Sequence, residues 1–256
     1  MDDHKQITDF DLKLIAEFFK EMPRQGPGGT RQTLQALDLV GELPPDARIV
    51  DMGCGTGKQT ADLAAHTPGH ITAVDFLPEM IAGLDARMRS LGLSDKVTGL
   101  VGSMGDPLFE PRSLDLIWAE GSIYNVGFEA GLRKWHEFLK PGGFVAVTET
   151  TLLLNEKPDD GGYIDTYFPE IDSIAGKVET MQCAGYQPTA HFILPPECWT
   201  ENYYAPLAAR VDTFSRQYGH YPAARELVES MKKEQPHYRQ YGQYYGYVFY
   251  IGRKIG

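Results

Sequence analysis

The stretch Ile49-Val-Asp-Met-Gly-Cys-Gly-Thr-Gly-Lys-Gln-Thr60 decides the fold of this chain. An apolar run ends at Val50, glycines follow at alternate positions, and helix-compatible residues continue from Lys58. A strand, a tight glycine turn and a helix bring backbone N–H groups against a ligand, because glycine has no side chain to block it. The alternative is a glycine-rich turn without a ligand, although such a turn needs fewer glycines.

Two carboxylates indicate which ligand this turn takes. Asp51 stands two residues before the first glycine, and Asp75 ends the next apolar run. An acid at the end of the second strand can accept both ribose hydroxyls of a nucleoside. The dinucleotide fingerprint fits imperfectly, since its third glycine falls on Lys58, and Asp51 would repel a pyrophosphate. A ligand with a ribose and a cationic end, such as S-adenosylmethionine, suits both acids.

The motif resembles that of the class I S-adenosylmethionine-dependent methyltransferases, in the branch that acts on small molecules, over residues 45–150. The resemblance implies S-adenosylmethionine as the cofactor, with Phe76 and Leu77 covering the adenine. Many relatives carry an acid directly after the glycine at Gly102, where this chain has Ser103, and Asp106 follows three residues later. The residues implied in cofactor binding are Asp51, Gly53, Cys54, Gly55, Gly57, Asp75, Phe76, Leu77, Gly102, Ser103, Met104, Ala119 and Glu120.

Three side chains near later strand ends are candidates for catalysis: Glu120, Tyr124 and Glu149. By resemblance, Ala119 and Glu120 offer backbone contacts to the ammonium group of the cofactor, and Tyr124 faces the substrate. Methyl transfer is an in-line displacement, so positioning and desolvation supply much of the rate. A base is needed only if the attacking atom must lose a proton. The alternatives are a core position for Tyr124 and a structural ion pair for Glu149.

Apolar runs alternate with helical segments from Arg48 onward. The spacing predicts strands at 48–52, 70–75, 96–101, 114–119 and 143–150. This alternation implies a parallel sheet with right-handed crossovers, whose ligands lie beyond the carboxyl ends of the strands. We therefore expect an α/β fold: a Rossmann-like, seven-stranded, mostly parallel sheet with an antiparallel edge strand and helices on both faces.

We expect one methyltransferase domain over residues 1–256, built from three parts. Residues 1–45 form an N-terminal helical cover that begins with a cap at Thr8, and residues 46–150 form the cofactor-binding core. Residues 196–243 form a helical insertion on the substrate side. In the resembling family, a segment that precedes the core often closes over the cofactor.

The last third of the chain has a different pattern. It predicts a helix over 171–185, a strand over 191–195 and a final strand over 245–253. The residues between these two strands are too many for a hairpin turn. Helices are therefore expected between the strands, near 202–218 and 222–235.

Tyrosines concentrate in this insertion and the strand that follows it. Ten of the 14 tyrosines fall between Tyr203 and Tyr250, and Trp199 precedes them. Phenol rings hold flat or cationic small molecules, which predicts a tyrosine-lined wall beside the transferable methyl. The alternative is that these rings attach the insertion to the sheet or form a dimer contact.

Composition limits the partners of this 256-residue chain. A net charge of −11 argues against general binding to nucleic acid or to an anionic membrane. The cysteines, Cys54, Cys183 and Cys198, are odd in number and lack metal-type spacing, which favours a reducing compartment and no metal site. With an N-terminus unlike a signal peptide, we expect a cytoplasmic monomer or homodimer that takes a small-molecule substrate.

The favoured function is transfer of a methyl group from S-adenosyl-L-methionine to a small-molecule acceptor. One alternative is a non-catalytic S-adenosylmethionine-binding or interaction protein, because the motif indicates binding and not transfer. Another is an NAD-dependent oxidoreductase, which Asp51 and Lys58 disfavour.

Overall fold

The computed structural model describes residues 9–105, 109–154 and 156–256, so the predicted cap at Thr8 and the acid at Asp106 lie outside the described residues. The strands are β1 (Arg48–Met52), β2 (His70–Asp75), β3 (Val97–Val101), β4 (Leu114–Ala119), β5 (Leu139–Leu152), β6 (Asp172–Ser173), β7 (Tyr186–Ile193) and β8 (Tyr245–Lys254). The helices are α1 (Asp9–Phe19), α2 (Thr30–Val40), α3 (Lys58–His66), α4 (Pro78–Leu91), α5 (Phe128–His136), α6 (Tyr163–Tyr167), α7 (Ile174–Cys183), α8 (Glu197–Trp199), α9 (Ala205–Tyr218) and α10 (Pro222–Tyr241), with a 3₁₀ turn at Ile123–Asn125 and a π-helical turn at Thr200–Tyr204.

The strands form one mixed sheet in the order β3-β2-β1-β4-β5-β8-β7, with the short β6 paired to β5. Strands β1 to β5 pair in parallel, whereas β8 pairs antiparallel with both β5 and β7. This confirms the predicted Rossmann-like, mostly parallel sheet, but the antiparallel strand was expected at the edge itself. The antiparallel strand β8 stands one place in from the edge strand β7. The helical insertion between the last two strands is also confirmed.

Helices cover both faces of the sheet because its central strands are apolar on both sides. Neighbouring residues of β1 illustrate this, since side chains of a strand alternate between faces. Ile49 packs in the layer that holds α2, α3 and α9, whereas Val50 packs in the layer that holds α5 and α7. The strands β1, β2 and β4 are parallel neighbours, so their ends at Met52, Asp75 and Ala119 meet at one edge. That edge carries the candidate site.

Two strands begin earlier than predicted. β5 begins at Leu139 and not at 143, because Leu139 pairs with Leu114 before a bulge that includes Gly142, whose φ is 79°. β7 begins at Tyr186 and not at 191, and its pairing shifts register after Pro188. Proline is tolerated there because β7 is the edge strand, where a missing N–H leaves no partner unpaired.

The insertion packs against the N-terminal cover. Arg210 of α9 donates to the Phe18 carbonyl at 2.8 Å, and the ring of Phe214 meets that of Phe18 edge-on at 5.1 Å. Asn202 donates to the Gly28 carbonyl at 2.7 Å. The insertion therefore holds α1 and the segment between α1 and α2 in place.

No described helix combines the length and the apolar character that crossing a bilayer requires.

Candidate active site

A cavity of about 440 Å³ opens at the carboxyl ends of β1, β2 and β4. One wall is made by the glycine turn after β1, the end of β2 and the loops after β3 and β4. The opposite wall is made by Leu12, Ile15 and Phe19 of α1 and by the segment 24–27. The cavity therefore lies between the sheet edge and the N-terminal cover.

Most of the residues predicted to bind the cofactor line this cavity. Those that do are Gly53, Cys54, Gly55, Asp75, Phe76, Leu77, Gly102, Ser103, Met104 and Glu120, and the predicted catalytic residue Tyr124 lines it as well. Asp51, Gly57, Ala119 and Glu149 lie outside its wall. Phe76 is 61% exposed, which leaves its ring free to cover a flat ligand.

The N–H groups of the glycine turn are already hydrogen-bonded inside the protein. Their acceptors are Val74 O for Gly53 and Cys54, Asp75 Oδ2 for Gly55, Gln25 Oε1 for Thr56 and Cys54 O for Gly57. The turn thus closes onto β2 and onto the cover, and its backbone shapes the cavity. That its N–H groups also meet a ligand stays a prediction.

Left-handed backbone explains why glycine is required in the turn. Gly53 has φ of 71°, and a Cβ there would lie 2.4 Å from the Cβ of Ser122. Gly57 has φ of 78°, and a Cβ there would lie 2.2 Å from Leu84 of α4. Gly57 therefore serves close packing of α4 and not ligand approach.

Asp75 is held at the end of β2 by two backbone hydrogen bonds. Its Oδ2 accepts from the Gly55 N–H at 2.9 Å, and its Oδ1 accepts from the Leu77 N–H at 3.0 Å. Burial raises the pKa of Asp75, and these hydrogen bonds oppose the rise. Each oxygen keeps acceptor capacity, so the carboxylate can take two further donors from a ribose.

Asp51 lies beneath the turn and is fully buried, so the prediction that it faces the crevice is wrong. Thr60 donates to its Oδ2 at 2.6 Å, whereas Oδ1 has no hydrogen-bond partner among the described residues. Burial raises the pKa of Asp51 to about 7, the Thr60 bond opposes this, and the charge of Glu120 adds to it. The negative charge of Asp51 can act on the cavity only through the turn.

Glu120 joins the core to the cover through a buried carboxylate. It accepts from Arg24 in a buried ion pair, from Thr33 Oγ1 at 2.7 Å and from Trp118 Nε1 at 2.9 Å. Three donors occupy three of its about four lone-pair sites, and one of them is the paired Arg24, so the geometry does not support a role as general base. Removing either partner of such a buried pair leaves an uncompensated charge, so the pair fixes the position of the cover.

Glu149 is engaged in a structural ion pair. Its Oε1 lies 3.5 Å from Lys177 Nζ, both side chains are 4% exposed, and the ammonium lies 4.5 Å from the ring centroid of Phe128. Burial raises the pKa of Glu149 to about 7, and Lys177 opposes the rise. This matches the alternative of structural pairing better than a catalytic role.

Tyr124 stands in the cavity on the 3₁₀ turn after β4. It is 56% exposed, yet the surrounding protein desolvates its hydroxyl enough to raise its pKa. Tyr124 is thus the one predicted catalytic residue of the three that lines the cavity and has no buried ion pair.

Sequence reasoning missed Arg24 and Gln25, which come from the cover. Gln25 Oε1 accepts from the Thr56 N–H at 3.0 Å, and its Nε2 donates to the Phe19 carbonyl at 3.1 Å. Arg24 Nη1 is buried without a hydrogen-bond partner among the described residues. The signal in the sequence was the run of glycines and proline at residues 26–29, which predicts a loop but not which residues the loop contacts.

The insertion does not supply a tyrosine wall to this cavity. No described residue of the insertion is part of its lining. Trp199 instead stacks on Tyr238 with ring centroids 4.6 Å apart and meets Tyr247 edge-on at 4.9 Å. The prediction of a tyrosine-lined wall here is wrong, because most of these rings bury one another to hold the helices on the sheet.

The fold and the cavity define a Rossmann-like protein that binds a nucleoside cofactor beyond its strand ends. The residues fit S-adenosylmethionine. Asp75 is poised for a ribose, and two of the five buried polar atoms that lack a partner among the described residues belong to Asp51 (Oδ1) and Arg24 (Nη1). Their charges are opposite to those of the ammonium and the carboxylate of this cofactor.

Known proteins agree with this class. Residues 49–143 match the family described as a methyltransferase domain. A ubiquinone/menaquinone biosynthesis C-methyltransferase from Geotalea daltonii is 32% identical over 41% of this chain and 46% of its own length. An S-adenosylmethionine-dependent methyltransferase from Geobacter sulfurreducens, solved with S-adenosylhomocysteine, has a TM-score of 0.80 at 16% identity and covers 94% of this chain and 98% of its own. The [4+2]-cyclase SpnF has a TM-score of 0.76 at 20% identity over 96% of this chain and 94% of its own.

Residues 49–143 form a methyltransferase domain of this family, and the chain as a whole has the fold of the class I S-adenosylmethionine-dependent methyltransferases. This overturns the alternative of an NAD-dependent oxidoreductase, since the methyl donor of the family is S-adenosylmethionine. The chain spans between 32% and 66% of the length of the first curated relatives. The likeness to the solved structures shows the fold alone.

Proposed function

We propose that this protein transfers the methyl group of S-adenosyl-L-methionine to a small-molecule acceptor. The observation that carries the proposal is the cavity of about 440 Å³, which Asp75 and Tyr124 both line and which α1 and the segment 24–27 cover. A cavity of this size and enclosure suits small ligands and would exclude a folded polymer.

The chain supplies distinct groups to each part of the cofactor. Asp75 accepts from the ribose hydroxyls, and the exposed ring of Phe76 covers the adenine. Arg24 is the single basic residue among the described residues that line the cavity. Its Nη1 has no hydrogen-bond partner among those residues, so Arg24 binds the carboxylate of the cofactor. The buried charge of Asp51 favours the ammonium group.

When bound, S-adenosylmethionine supplies a methyl group on a positively charged sulfur. The chain then needs chiefly to orient an acceptor and to exclude water, since the leaving group is already good. The cover performs the exclusion, because Arg24 and Gln25 fasten it to Glu120 and to the glycine turn. Tyr124 is the proposed contact for the acceptor.

The competing function is cofactor binding without methyl transfer. The likeness to a [4+2]-cyclase with the same fold shows that this architecture alone does not decide the reaction. Binding of S-adenosylmethionine is common to both functions, so only the fate of the methyl group separates them.

A labelled-methyl screen tests the proposal. The protein is incubated with methyl-labelled S-adenosylmethionine and fractions of a metabolite extract, and the small-molecule fraction is expected to gain label. Titration calorimetry of the same protein with S-adenosylmethionine and with NAD serves as a control, and only the first should bind. Binding without any labelled product would favour the competing function, and label in protein or RNA would contradict a small-molecule acceptor.

The proposed surroundings of the protein follow from its composition. Cys54, Cys183 and Cys198 are all free thiols, which suits a reducing compartment such as the cytoplasm. The net charge of −11 supports a small-molecule substrate over nucleic acid.

A further inference from the structure

The helix α1 carries two apolar faces, and one of them lies in the wall of the cavity. Leu12, Ile15 and Phe19 all line the cavity, and their spacing of three and four residues places them on one side of the helix. We name these three residues the α1 face. Leu14 and Phe18 project from a different side and are buried in the hydrophobic core. A helix at a protein surface needs one apolar face for its core, so the α1 face requires a partner of its own.

The cavity has no charge to spare for an acceptor among the described residues that line it. Those that carry a charge are Arg24, Asp75 and Glu120. Glu120 accepts from three donors, one of which is Arg24. In the function proposed above, Asp75 is taken by the ribose of the cofactor and Arg24 by its carboxylate. A charged acceptor would therefore be desolvated here without a partner, which is costly.

Neutral polar side chains lie at the loop after β4. Tyr124 and Asn125 line the cavity on the 3₁₀ turn, and Val126 follows them in the same lining. Asn125 donates one N–H to the Ser122 carbonyl at 2.9 Å, so its amide has capacity for further hydrogen bonds. A hydroxyl or carbonyl group of a ligand would find partners at this turn, and neither partner is charged.

We infer that the methyl acceptor is a neutral molecule with a large apolar part, which packs against the α1 face. A hydroxyl or carbonyl group of the same molecule bonds to Tyr124 or Asn125. Burial of apolar surface stabilises such a complex in proportion to the area removed from water, whereas an ammonium, carboxylate or phosphate group would lose its hydration without compensation. The inference rests on the proposed function, because acceptor and cofactor share the cavity. It specifies the chemical class of the acceptor, whichever atom receives the methyl.

Binding of matched probes tests the charge of the acceptor without turnover. The full chain is saturated with S-adenosylhomocysteine at pH 7.5, where amines and carboxylic acids are charged. Calorimetry then measures its affinity for benzyl alcohol, benzoate and benzylammonium, and for the three naphthalene compounds that carry the same groups. In at least one of the two series, the neutral alcohol should bind about tenfold or more tightly than both charged compounds.

Ile15→Ser tests the α1 face itself. Ile15 is only partly buried, so the change leaves the core contacts of α1 in place. We expect the affinity for the neutral alcohol to fall about tenfold, because apolar contact area is lost. The affinity for S-adenosylhomocysteine should change by less than about threefold. Lys13→Ser introduces the same residue on the exposed side of α1 and should change neither affinity.

The outcomes separate this inference from the proposed function. If a charged probe binds as tightly as the alcohol in both series, or if no probe binds, the neutral acceptor is overturned while methyl transfer stands. A folded Ile15→Ser variant that keeps the full affinity for the alcohol, or that loses S-adenosylhomocysteine to the same extent, would show that the α1 face does not hold the acceptor. Failure of the unaltered protein to bind S-adenosylhomocysteine would instead refute the proposed function.

Discussion

At the scale of the residue, Asp75 serves both the turn and the ligand. Its two oxygens hold the N–H groups of Gly55 and Leu77, and the same carboxylate is proposed to accept from the ribose. Asp75→Asn keeps the size of the side chain but removes its charge and turns one acceptor into a donor. We expect the affinity for S-adenosylmethionine to fall about 10- to 100-fold, since charge-assisted hydrogen bonds are lost.

Calorimetric titration of the folded Asp75→Asn variant measures this change, with thermal melting to confirm that the fold survives. Lys58→Met, a change on the exposed side of the same motif, is the matched control, because the partners of Lys58 among the described residues are Asp62 and Thr30, outside the cavity. An unchanged dissociation constant for Asp75→Asn would assign the ribose to another group.

The motif predicted which residues gather at the site but not where each side chain lies. Asp75 was placed well because the end of a parallel strand faces the ligand edge by topology. The position of Asp51 was predicted wrongly because the turn folds over the end of β1 and buries the Asp51 side chain against Thr60. Arg24 was missed because its contact with Glu120 joins residues 96 positions apart, and no local pattern encodes such a contact.

At the scale of the element, the insertion acts on the cavity by holding its cover. Asn202 donates to the Gly28 carbonyl at 2.7 Å, and Asn202→Ala would leave that carbonyl without this donor. The cost of a lost hydrogen bond is about 1–3 kcal/mol, and it would fall on the cover and not on the sheet. We expect faster amide exchange in α1 and in the segment 24–29, together with about tenfold faster release of the cofactor.

Hydrogen-exchange mass spectrometry and stopped-flow release measure these two effects. Glu201→Ala is the control, since Glu201 is an exposed neighbour in the same turn. If Asn202→Ala loosens the sheet as much as the cover, or changes neither exchange nor release, the insertion does not act through this contact.

Strands and helices with a strong period were predictable, and their ends were not. α10 was expected to stop near 235 but runs through Pro236 to Tyr241. The helix continues because tertiary contacts outweigh the lost backbone hydrogen bond: Tyr238 stacks on Trp199 and His237 bonds to the Tyr245 hydroxyl at 2.9 Å. Local helix propensity does not depend on such distant partners, so it could not predict where α10 ends.

At the scale of the whole molecule, buried acids make stability depend on pH. Burial raises the pKa of Asp51, Glu149 and Glu234 to about 7, from ordinary values of 3.8 for Asp and 4.5 for Glu. At pH values between the ordinary pKa and about 7, these carboxyls are protonated in the folded state and ionised in the unfolded state. The folded state therefore binds more protons, and the free energy of unfolding falls as pH rises. His136 opposes this trend, because burial lowers its pKa, but it is one group, whereas burial raises the pKa of Asp75 as well as of these three acids.

We therefore expect the cofactor-free protein to melt at a higher temperature at pH 5.5 than at pH 8. A loss of about 1 kcal/mol would lower the melting temperature by about 2–4 °C in a chain of this size. Differential scanning calorimetry across this range measures the slope, and Asp51→Asn should make it shallower. A melting temperature that is constant or rises from pH 5.5 to pH 8 would show that these carboxylates are not destabilised by burial.

The position of β8 has a consequence for synthesis on the ribosome. β8 pairs with β5 from Phe144 to Leu152 and with β7 on its other side, yet it leaves the exit tunnel after all the other strands that the structure describes. Until then the nascent chain carries an open sheet edge along β5 beside uncovered apolar residues, a state prone to aggregation. A chain that stops translating before residue 245 would therefore be a substrate for chaperones and proteases, however complete its cofactor motif.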